Sequence, residues 1–257
     1  MGEALLKQLL CANAVSKTQI YVYDVKASRK KQIRQAYRVH ASNAIGEVVQ
    51  KSDVIVLAVK PHQLAEVAKH FSDSTKNKVL VSILAGVTTQ RLKKTFGPSI
   101  QIVRVMPNLG AFVGQSMTVI AKSKTASRRL LQLAQALFNV CGLTLVLPES
   151  KMDLVTAVSG SGPAYYFLLS EVMVHAAQRL GLSKKEALVL VSQTALGASL
   201  MMLQGAATPD ILRQRVTSKG GTTAAALKIL NSKAWKRAIV QAVQNAQKRS
   251  KQLSRTN

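Results

Sequence analysis

Two stretches of the sequence combine glycine with hydroxyl side chains inside long helical patterns. The first is Ser159–Pro163, with the sequence SGSGP, and the second is Thr217–Thr223, with the sequence TSKGGTT. Glycine lets the backbone adopt positive φ or approach a ligand closely, and serine and threonine hydroxyls both donate and accept hydrogen bonds. The two stretches therefore indicate a site for a small molecule.

The second stretch runs directly into the apolar-periodic segment Ala224–Leu230, so we expect Gly221, Thr222 and Thr223 to form the first turn of a helix. The free N–H groups and the positive dipole end of such a turn favour a carboxylate or a phosphate. An alternative is that one of the threonines is a plain N-cap. The two glycines ahead of the threonines favour the ligand interpretation.

The elements that must position these residues follow two different patterns. Between Gly2 and about Ile120, short β-branched runs alternate with amphipathic stretches, which is typical of parallel βα units whose strands are buried on both faces. The predicted strands are Gln19–Tyr23, Asp53–Val59, Val79–Leu84, Ile100–Val105 and, as the last strand, Ser116–Ala121. The predicted helices between them include Ser28–Ala36, Asn43–Lys51 and His62–Phe71.

After Pro148 the pattern becomes helical throughout. The predicted helices are Met152–Leu180, Lys184–Leu203, Pro209–Val216, Thr222–Leu230 and Ala234 to about Leu253. An α/β half followed by a helical half is a common layout of nicotinamide-dependent reductases, with the cofactor across the strand ends. We therefore predict a Rossmann-like, nicotinamide dinucleotide-binding domain over residues 1–147 and an all-α substrate domain over residues 148–257.

The sequence begins at the first helix of the expected dinucleotide-binding unit. Such a unit starts with a strand, then G-x-G-x-x-G, then a helix, and Gly2 stands where the last of these glycines belongs. The central first strand and two glycines are missing from this sequence, which would leave neighbouring strands unpaired. An incorrectly assigned start, a degenerate enzyme and an unrelated fold would each explain this. The intact second strand Gln19–Tyr23, followed by Asp24, favours the first two explanations.

Length and composition favour a soluble globular chain. The chain has 257 residues, of which 47% are hydrophobic, and this excludes a disordered tail protein. No apolar run reaches the ~18 residues of a membrane span, and the start lacks the pattern of a signal peptide. The net charge of +25 is spread along the chain without a nucleic-acid-binding motif, so we expect neither nucleic acid nor membrane as a partner. Cys11 and Cys141 lack metal-ligand spacing and indicate free thiols in the cytoplasm.

Several stretches, taken in order, carry a resemblance to a known family. They are Val56–Pro61, Ala85–Thr88, Arg104–Asn108, Ser159–Pro163 and Val216–Thr223. Together they resemble the pyrroline-5-carboxylate reductase family, which catalyses the last step of proline biosynthesis. The last two stretches are specific in combination, and the resemblance covers the whole chain except the missing first strand. It implies reduction of 1-pyrroline-5-carboxylate to L-proline by hydride transfer from NAD(P)H.

The resemblance also implies an architecture and a set of site residues. The family pairs a nicotinamide-binding domain with a helical domain that dimerises, and dimers often form rings, so we expect a homodimer or a ring of dimers. The implied cofactor contacts are Asn43, Ala58, Val59, Lys60, Pro61, Ala85, Met106, Pro107 and Asn108. The implied substrate end consists of Glu149, Gly221, Thr222 and Thr223.

Three polar residues of this set also have plain structural interpretations. Lys60 could be a solvated loop lysine, Asn43 a helix cap, and Glu149 an acid at the positive start of a helix. The ordered stretches of the resemblance weaken all three interpretations.

The residues after the second predicted strand bear on the choice of cofactor. Asp24 would suit a ribose 2′-hydroxyl, as in NADH, whereas Lys26, Ser28 and Arg29 could hold the 2′-phosphate of NADPH. We favour NADPH, with NADH as the second possibility. Ordinary loop and helix-start charges are the alternative explanation.

Hydride delivery to a cyclic imine needs alignment of two carbon atoms and support for the protonated nitrogen, without a strong side-chain base. We expect the substrate carboxylate on the N–H groups of Gly221–Thr223 and the hydroxyl of Thr223, the predicted catalytic residue, facing the ring nitrogen. The four histidines lie on separate predicted elements without a neighbouring carboxylate. Ser159 and Ser161 have no visible histidine and acid partners, which argues against a serine hydrolase.

Departures from the family pattern leave a second function open. Lys219 replaces the usual proline before the paired glycines, and Leu109-Gly110 replaces the usual Thr-Pro after Met-Pro-Asn. With the glycine-rich loop missing, the alternative function is an inactive or weakly active relative that serves as a binding or scaffold dimer. A β-hydroxyacid-type dehydrogenase is less well supported, because the lysine expected after Ser159 has no clear counterpart.

Overall fold

The computed structural model describes residues 1–71, 78–123, 126–205 and 207–256. The chain packs into two compact units. Unit 1 comprises Met1–Pro163 together with Asn245–Asn257, and unit 2 comprises Ala164–Gln244. The predicted boundary between residues 147 and 148 stays a prediction, because packing alone does not show which part of the chain holds which ligand.

The main sheet of unit 1 has strands in sequential order. They are β3 (Val54–Leu57), β4 (Val79–Ser82), β5 (Gln101–Met106), β6 (Ser116–Lys122) and β7 (Gly142–Pro148). All neighbours are parallel except β5 and β6. A single short 3-10 helix connects β5 to β6, and so short a connection cannot return the chain for a parallel pairing. The sequence analysis expected Ser116–Ala121 to be the last strand. A further strand, β7, follows it and was not predicted.

A separate two-stranded parallel sheet precedes the main sheet. It pairs β1 (Tyr21–Val22) with β2 (His40–Ala41). Over the part of the chain that the structure describes, β1 pairs only with β2 and β3 only with β4. Each of these two strands therefore lies at the edge of its sheet.

The helices of unit 1 cover both faces of the main sheet. They are α1 (Gly2–Cys11), α2 (Ala27–Tyr37), α3 (Ile45–Lys51), α4 (Leu64–Ala68), α5 (Thr89–Phe96), α6 (Arg128–Asn139) and α7 (Met152–Val155). Side chains alternate between the faces along each strand. Val81 and Val103 lie in the core with α1 and α6, whereas Leu80 and Ile102 lie in the core with α4 and α5. This two-sided burial confirms the predicted Rossmann-like layering.

The rest of the chain is helical. The helices are α8 (Gly162–Arg179), α9 (Lys184–Leu203), α10 (Pro209–Arg215), α11 (Thr222–Leu230) and α12 (Lys233–Thr256). Ser183 accepts a hydrogen bond from the N–H of Glu186, whose carboxylate accepts one from the N–H of Ser183. This capping box fixes the start of α9. The α9 and α11 bounds agree with the prediction residue for residue.

Unit 2 exposes many large apolar side chains. Its buried core is small and contains Val174, Ala187 and Val191. Phe167 and Leu168 on α8 are 60% and 61% exposed. Among the helices searched in the described chain, α9 alone is long and apolar enough to cross a membrane by length and composition. An apolar surface of this extent marks an interaction face.

Candidate active site

A basic cavity of about 450 Å³ lies where β1 and β3 end. It is lined by Asp24, Val25, Lys26, Arg29, Lys60, His62 and Gln63. The Asp24 carboxylate accepts a hydrogen bond of 2.8 Å from the N–H of Lys26, which turns the chain toward α2. The cavity lining includes three basic side chains, Lys26, Arg29 and Lys60, and one carboxylate, a composition suited to a phosphate group.

A carboxylate on α1 orients one of these cations. Glu3 forms a close ion pair with Arg29 and accepts a hydrogen bond of 3.0 Å from the Tyr37 hydroxyl. Burial, together with the hydrogen bond to Glu3, raises the pKa of Tyr37. Glu3 and Tyr37 were not predicted as site residues, because they lie 26 and 8 residues from Arg29 and share no local motif with it.

The side chain of Asn43 contacts α2 through Lys30. Its amide oxygen accepts a hydrogen bond of 2.9 Å from Lys30, which also lies 5.5 Å from the centre of the Tyr23 ring. The helix-cap interpretation of Asn43 is wrong, because the N-cap residue of α3 is Ala44 and it has no side-chain cap bond. Asn43 remains a predicted cofactor contact.

The turn Ala58–Pro61 directly follows β3. The N–H of Lys60 donates a hydrogen bond of 3.0 Å to the side chain of Gln63, which shapes the turn. The start of α1 comes close to this turn, since a Cβ on Gly2 would lie only 2.9 Å from the Cβ of Ala58. The start of α1 therefore lies beside the turn after β3, and the N–H groups at a helix start favour an anion.

Parallel strands bring three of the predicted contacts to one edge of the sheet. The turn Ala58–Pro61 follows β3, Ala85 follows β4, and Met106–Asn108 ends β5. Because these strands are adjacent and parallel, their carboxyl ends meet at one edge, where open α/β sheets bind ligands. The topology therefore groups the predicted cofactor contacts.

Asn108 connects the end of β5 to the first glycine stretch. Its side-chain N–H donates to the carbonyl oxygen of Ser159 at 3.1 Å, and its amide oxygen accepts from the N–H of Gly110 at 3.0 Å. Met106 approaches the same stretch, since its Cε lies 2.6 Å from where a Cβ on Gly160 would be. Met106 and Asn108, which are predicted to border the nicotinamide, thus contact the glycine stretch Ser159–Pro163.

The first glycine stretch is a helical distortion rather than an open loop. Residues Thr156–Gly160 form a π-helix between α7 and α8. The hydroxyl of Ser159 donates to the Val155 carbonyl at 3.2 Å, and that of Thr156 donates to the Met152 carbonyl at 2.8 Å. These backbone bonds account for both hydroxyls and join the two helices, while π-helical turns often occur at functional sites.

The Glu149 carboxylate contacts two other elements of unit 1. Its Oε1 accepts a hydrogen bond of 2.7 Å from the N–H of Thr89 at the start of α5, and it lies 3.6 Å from Nη1 of Arg104. The Arg104 side chain is only 4% exposed. Burial lowers the pKa of Arg104, and the charges of Glu149 and Asp153 act in the opposite direction. Glu149 therefore has a structural role, and its substrate role remains a prediction.

The second glycine stretch forms an uncapped helix start in unit 2. The N-cap position of α11 is Gly221, and no side chain caps it. Neither Thr222 nor Thr223 is the N-cap, so the plain-cap interpretation is wrong. Gly220 has φ of +72° and Thr223 is half-buried. The first-turn amides are therefore available to an acidic ligand.

The predicted residues are divided between the two units. Unit 1 carries the cofactor contacts and Glu149, and unit 2 carries Gly221, Thr222 and Thr223. An α/β sheet with a basic cavity at the ends of its strands, followed by a helical segment, is the layout of a nicotinamide-dependent oxidoreductase.

Comparisons with known proteins identify the family. Residues 149–253 match the family model for pyrroline-5-carboxylate reductase dimerisation, and residues 1–86 match the model for NADP oxidoreductase, coenzyme F420-dependent. A pyrroline-5-carboxylate reductase from Synechocystis sp. is 36% identical over 255 residues, which cover 99% of this chain and 95% of that protein. The chain therefore belongs to the pyrroline-5-carboxylate reductase family.

Solved structures of the family have the same fold. The Plasmodium falciparum pyrroline carboxylate reductase with NADP bound gives a TM-score of 0.89 at 29% identity, covering 99% of this chain and 94% of that one. A pyrroline-5-carboxylate reductase from Coxiella burnetii gives a TM-score of 0.88 at 34% identity, covering 98% and 94%. The predicted fold, an α/β Rossmann-like domain followed by a helical dimerisation domain, is confirmed.

Proposed function

We propose that this chain reduces 1-pyrroline-5-carboxylate to L-proline with hydride from NADPH, the last step of proline biosynthesis. The observation that carries the proposal is the uncapped start of α11, whose amides suit a small carboxylate, on a chain whose sheet edge suits a nicotinamide dinucleotide. Full-length relatives named as pyrroline-5-carboxylate reductases support the same reaction.

Residues of the basic cavity hold the adenosine end of the cofactor. Lys26, Arg29 and Lys60 surround a space where a 2′-phosphate gains several charge-assisted hydrogen bonds. The Asp24 carboxylate would repel that phosphate, and it would accept a hydrogen bond from the ribose 2′-hydroxyl of NADH. NADH therefore remains a second possible hydride donor. The cations outnumber the carboxylate, and an NADP-bound relative supports the choice of NADPH.

The strand edge and α1 hold the rest of the dinucleotide. The N–H groups at the start of α1 bind the pyrophosphate, and Ala58, Val59, Lys60 and Pro61 form the wall after β3. The close approach of Gly2 to Ala58 supports this arrangement. Asn43 and Ala85 complete the wall, and Met106, Pro107 and Asn108 border the nicotinamide. When bound, the reduced nicotinamide supplies the hydride.

Gly221, Thr222 and Thr223 hold the substrate. The amides of Thr222 and Thr223 bind the carboxylate of the imine, which contributes roughly 1–2 kcal/mol from the helix dipole and charge-assisted bonds. The N–H of Gly221 already donates to the Ser218 carbonyl at 3.1 Å, so Gly221 contributes the shape of the turn. The hydroxyl oxygen of Thr223 accepts a hydrogen bond from the protonated ring nitrogen and so acts as the catalytic residue. Glu149 belongs to the substrate end on the strength of the family resemblance.

The reaction balances without a side-chain base. The carbon of the N-protonated C=N group accepts the hydride, the π electron pair moves to the nitrogen, which already carries its proton, and a secondary ring amine results. Thr223 keeps its own proton throughout, because it only accepts a hydrogen bond from nitrogen. The chain's contribution is therefore orientation and charge support, which can account for most of the acceleration of such a step.

We place the enzyme in the cytoplasm as a homodimer, or as a ring of such dimers. The free thiols of Cys11 and Cys141 suit a reducing compartment. The exposed apolar residues of α8 and α9 lie within the segment that matches the dimerisation model, and a second copy would cover them. Nucleic acid and membrane remain outside the expected partners.

A turnover assay tests the proposal. Purified chain is mixed with 1-pyrroline-5-carboxylate and either NADPH or NADH, and both cofactor oxidation and L-proline formation are followed. We expect stoichiometric proline and at least a tenfold higher kcat/KM with NADPH. Cofactor binding without any turnover would instead support the inactive dimer, and a tenfold preference for NADH would overturn the cofactor assignment.

A further inference from the structure

The C-terminal end of α12 packs on the loop that follows β4. Gly86, in that loop, has φ of +73°, a conformation that side chains disfavour. A Cβ at this position would lie 3.0 Å from the Cβ of Leu253 and 3.4 Å from the backbone nitrogen of Ser254. The α12 backbone thus touches the loop at the residue next to Ala85, the predicted cofactor contact.

A carboxylate on α7 anchors this end of α12. Oδ1 of Asp153 accepts hydrogen bonds from the hydroxyl of Ser250 at 2.7 Å and from that of Ser254 at 3.1 Å. Ser250 is only 4% exposed. Hydrogen bonds to a charged acceptor in so buried a position are among the stronger ones in proteins. We call Asp153, Ser250 and Ser254 the C-terminal clasp.

The other end of the same loop is held by Glu149. Its carboxylate binds the N–H of Thr89, three residues beyond Gly86, and pairs with the buried Arg104. Glu149 and Asp153 are four residues apart, so one short segment after β7 fixes both ends of the loop Ala85–Thr89. The loop is therefore set by contacts from outside its own strand and helix.

We propose that the C-terminal clasp positions the loop Ala85–Thr89 for the nicotinamide cofactor, so that Asp153, Ser250 and Ser254 are positioning residues for cofactor binding. The clasp holds α12 in contact with Gly86, and this contact positions the neighbouring Ala85 at the carboxyl end of β4. The inference rests on the proposed function for the identity of the ligand. The restraint of the loop by α12 is a property of the protein alone.

The test compares the double variant Ser250→Ala/Ser254→Ala with the parent chain and with Lys251→Ala, an exposed change on the same turn. NADPH affinity is measured by nucleotide fluorescence, and the exchange of the amides of residues 86–89 by hydrogen–deuterium exchange without cofactor. We expect the double variant to bind NADPH about tenfold more weakly, with faster exchange in the loop and little change in kcat at saturation. Lys251→Ala should match the parent, and Ser254→Thr alone should retain parental affinity.

Gly86→Ala tests the same contact from the loop side, should the double variant fold poorly. Its added Cβ must displace Leu253, so it should also weaken NADPH binding, whereas Gly97→Ala, at φ of +92° with open space around it, should not. Unchanged exchange in the loop of the double variant would overturn the clasp, with or without turnover. Faster exchange with unaltered NADPH affinity would overturn its link to the cofactor. A parent chain that binds neither nicotinamide nucleotide would overturn the proposed function, while loop exchange still decides the clasp.

Discussion

Single charged residues decide the chemistry of the basic cavity. Arg29 is held by Glu3, and Glu3 is held in turn by Tyr37. Lys26 and Arg29 could be predicted from sequence because they stand at the start of the helix that follows a strand, whereas Ser28, predicted with them, does not line the cavity. The contributions of Glu3 and Tyr37 could not, because tertiary packing alone brings them to Arg29.

Removal of the Arg29 guanidinium should weaken the binding of NADPH more than that of NADH. Arg29→Ala removes a charge-assisted partner of the 2′-phosphate, so we expect the NADPH Kd to rise about tenfold and the NADH Kd to stay within a factor of two. Both constants are measured by fluorescence titration. Lys31→Ala, an exposed lysine outside the cavity lining, is the matched control and should change neither constant. An equal rise for both nucleotides would contradict a phosphate-specific role.

Loss of the Thr223 hydroxyl should affect turnover more than cofactor binding. Thr223→Ala removes the acceptor for the ring nitrogen, so we expect kcat to fall by about tenfold or more while the NADPH Kd is maintained. Thr223→Ser keeps the hydroxyl and should retain most of the activity. Steady-state kinetics and a titration separate the two effects, and equal losses in both would contradict the assignment.

The two cysteines should differ in reactivity and in their effect on pH stability. Burial raises the pKa of Cys141 from 9.0 to about 11, whereas Cys11 is exposed. Because the folded thiol has the higher pKa, its contribution to stability is complete below pH 9 and is lost as the pH rises through 11. We expect a disulfide reagent to modify Cys11 alone in the folded chain and both thiols in urea.

Denaturant unfolding as a function of pH provides the second check on Cys141. The unfolding free energy of the parent should decline more steeply between pH 9 and 11 than that of Cys141→Ala. Parallel slopes would show that the thiol ionises equally in both states.

Secondary-structure elements were predicted best where the spacing of hydrophobic residues and the capping residues indicate the same helix bounds. The α9 and α11 bounds match because Ser183 and the Gly220-Gly221 pair mark clear starts. The strand β7 was missed, since Gly142–Pro148 alternates exposed and half-buried residues and is not a continuous apolar run. The π-helix at Thr156–Gly160 was interpreted as a loop, because glycine in a helical pattern signals a break without saying which kind.

Glu149 links three elements, and its removal should be costly. Glu149→Ala leaves the Thr89 N–H uncapped and the buried Arg104 charge without its nearest carboxylate, which we expect to destabilise the fold by about 3–5 kcal/mol. Urea unfolding measures this. Glu66→Ala, which removes an exposed ion pair with Lys69, should leave the midpoint unchanged. Similar midpoints for the two variants would contradict the structural role of Glu149.

At the scale of the whole molecule, unit 2 exposes the apolar surface that a partner copy would cover. The sequence predicted an all-α dimerisation segment from the family resemblance, and the matching family model confirms self-association. The net charge of +25 conveyed nothing of this, because net charge does not specify which apolar surface of a fold is left for a partner. The set of contacting residues could not be predicted, since apolar periodicity does not separate an internal core from an interface.

A charge on the α8 surface should produce monomers. Leu168→Asp places a carboxylate at a 61% exposed apolar position of unit 2, which a dimer would have to desolvate. Light scattering after size exclusion should give at least twice the chain mass for the parent and a smaller mass, down to a single chain, for the variant. Val113→Asp, at a 74% exposed position of unit 1, is the control and should remain dimeric. A dimeric Leu168→Asp would exclude this part of α8 from the interface.

A crystal structure with NADP⁺ and L-proline soaked together would test the account most directly. Density for the proline carboxylate should lie within hydrogen-bond distance of the amides of Thr222 and Thr223, with the ring nitrogen toward the Thr223 hydroxyl. Proline bound elsewhere, with that helix start empty at saturating concentration, would contradict the account.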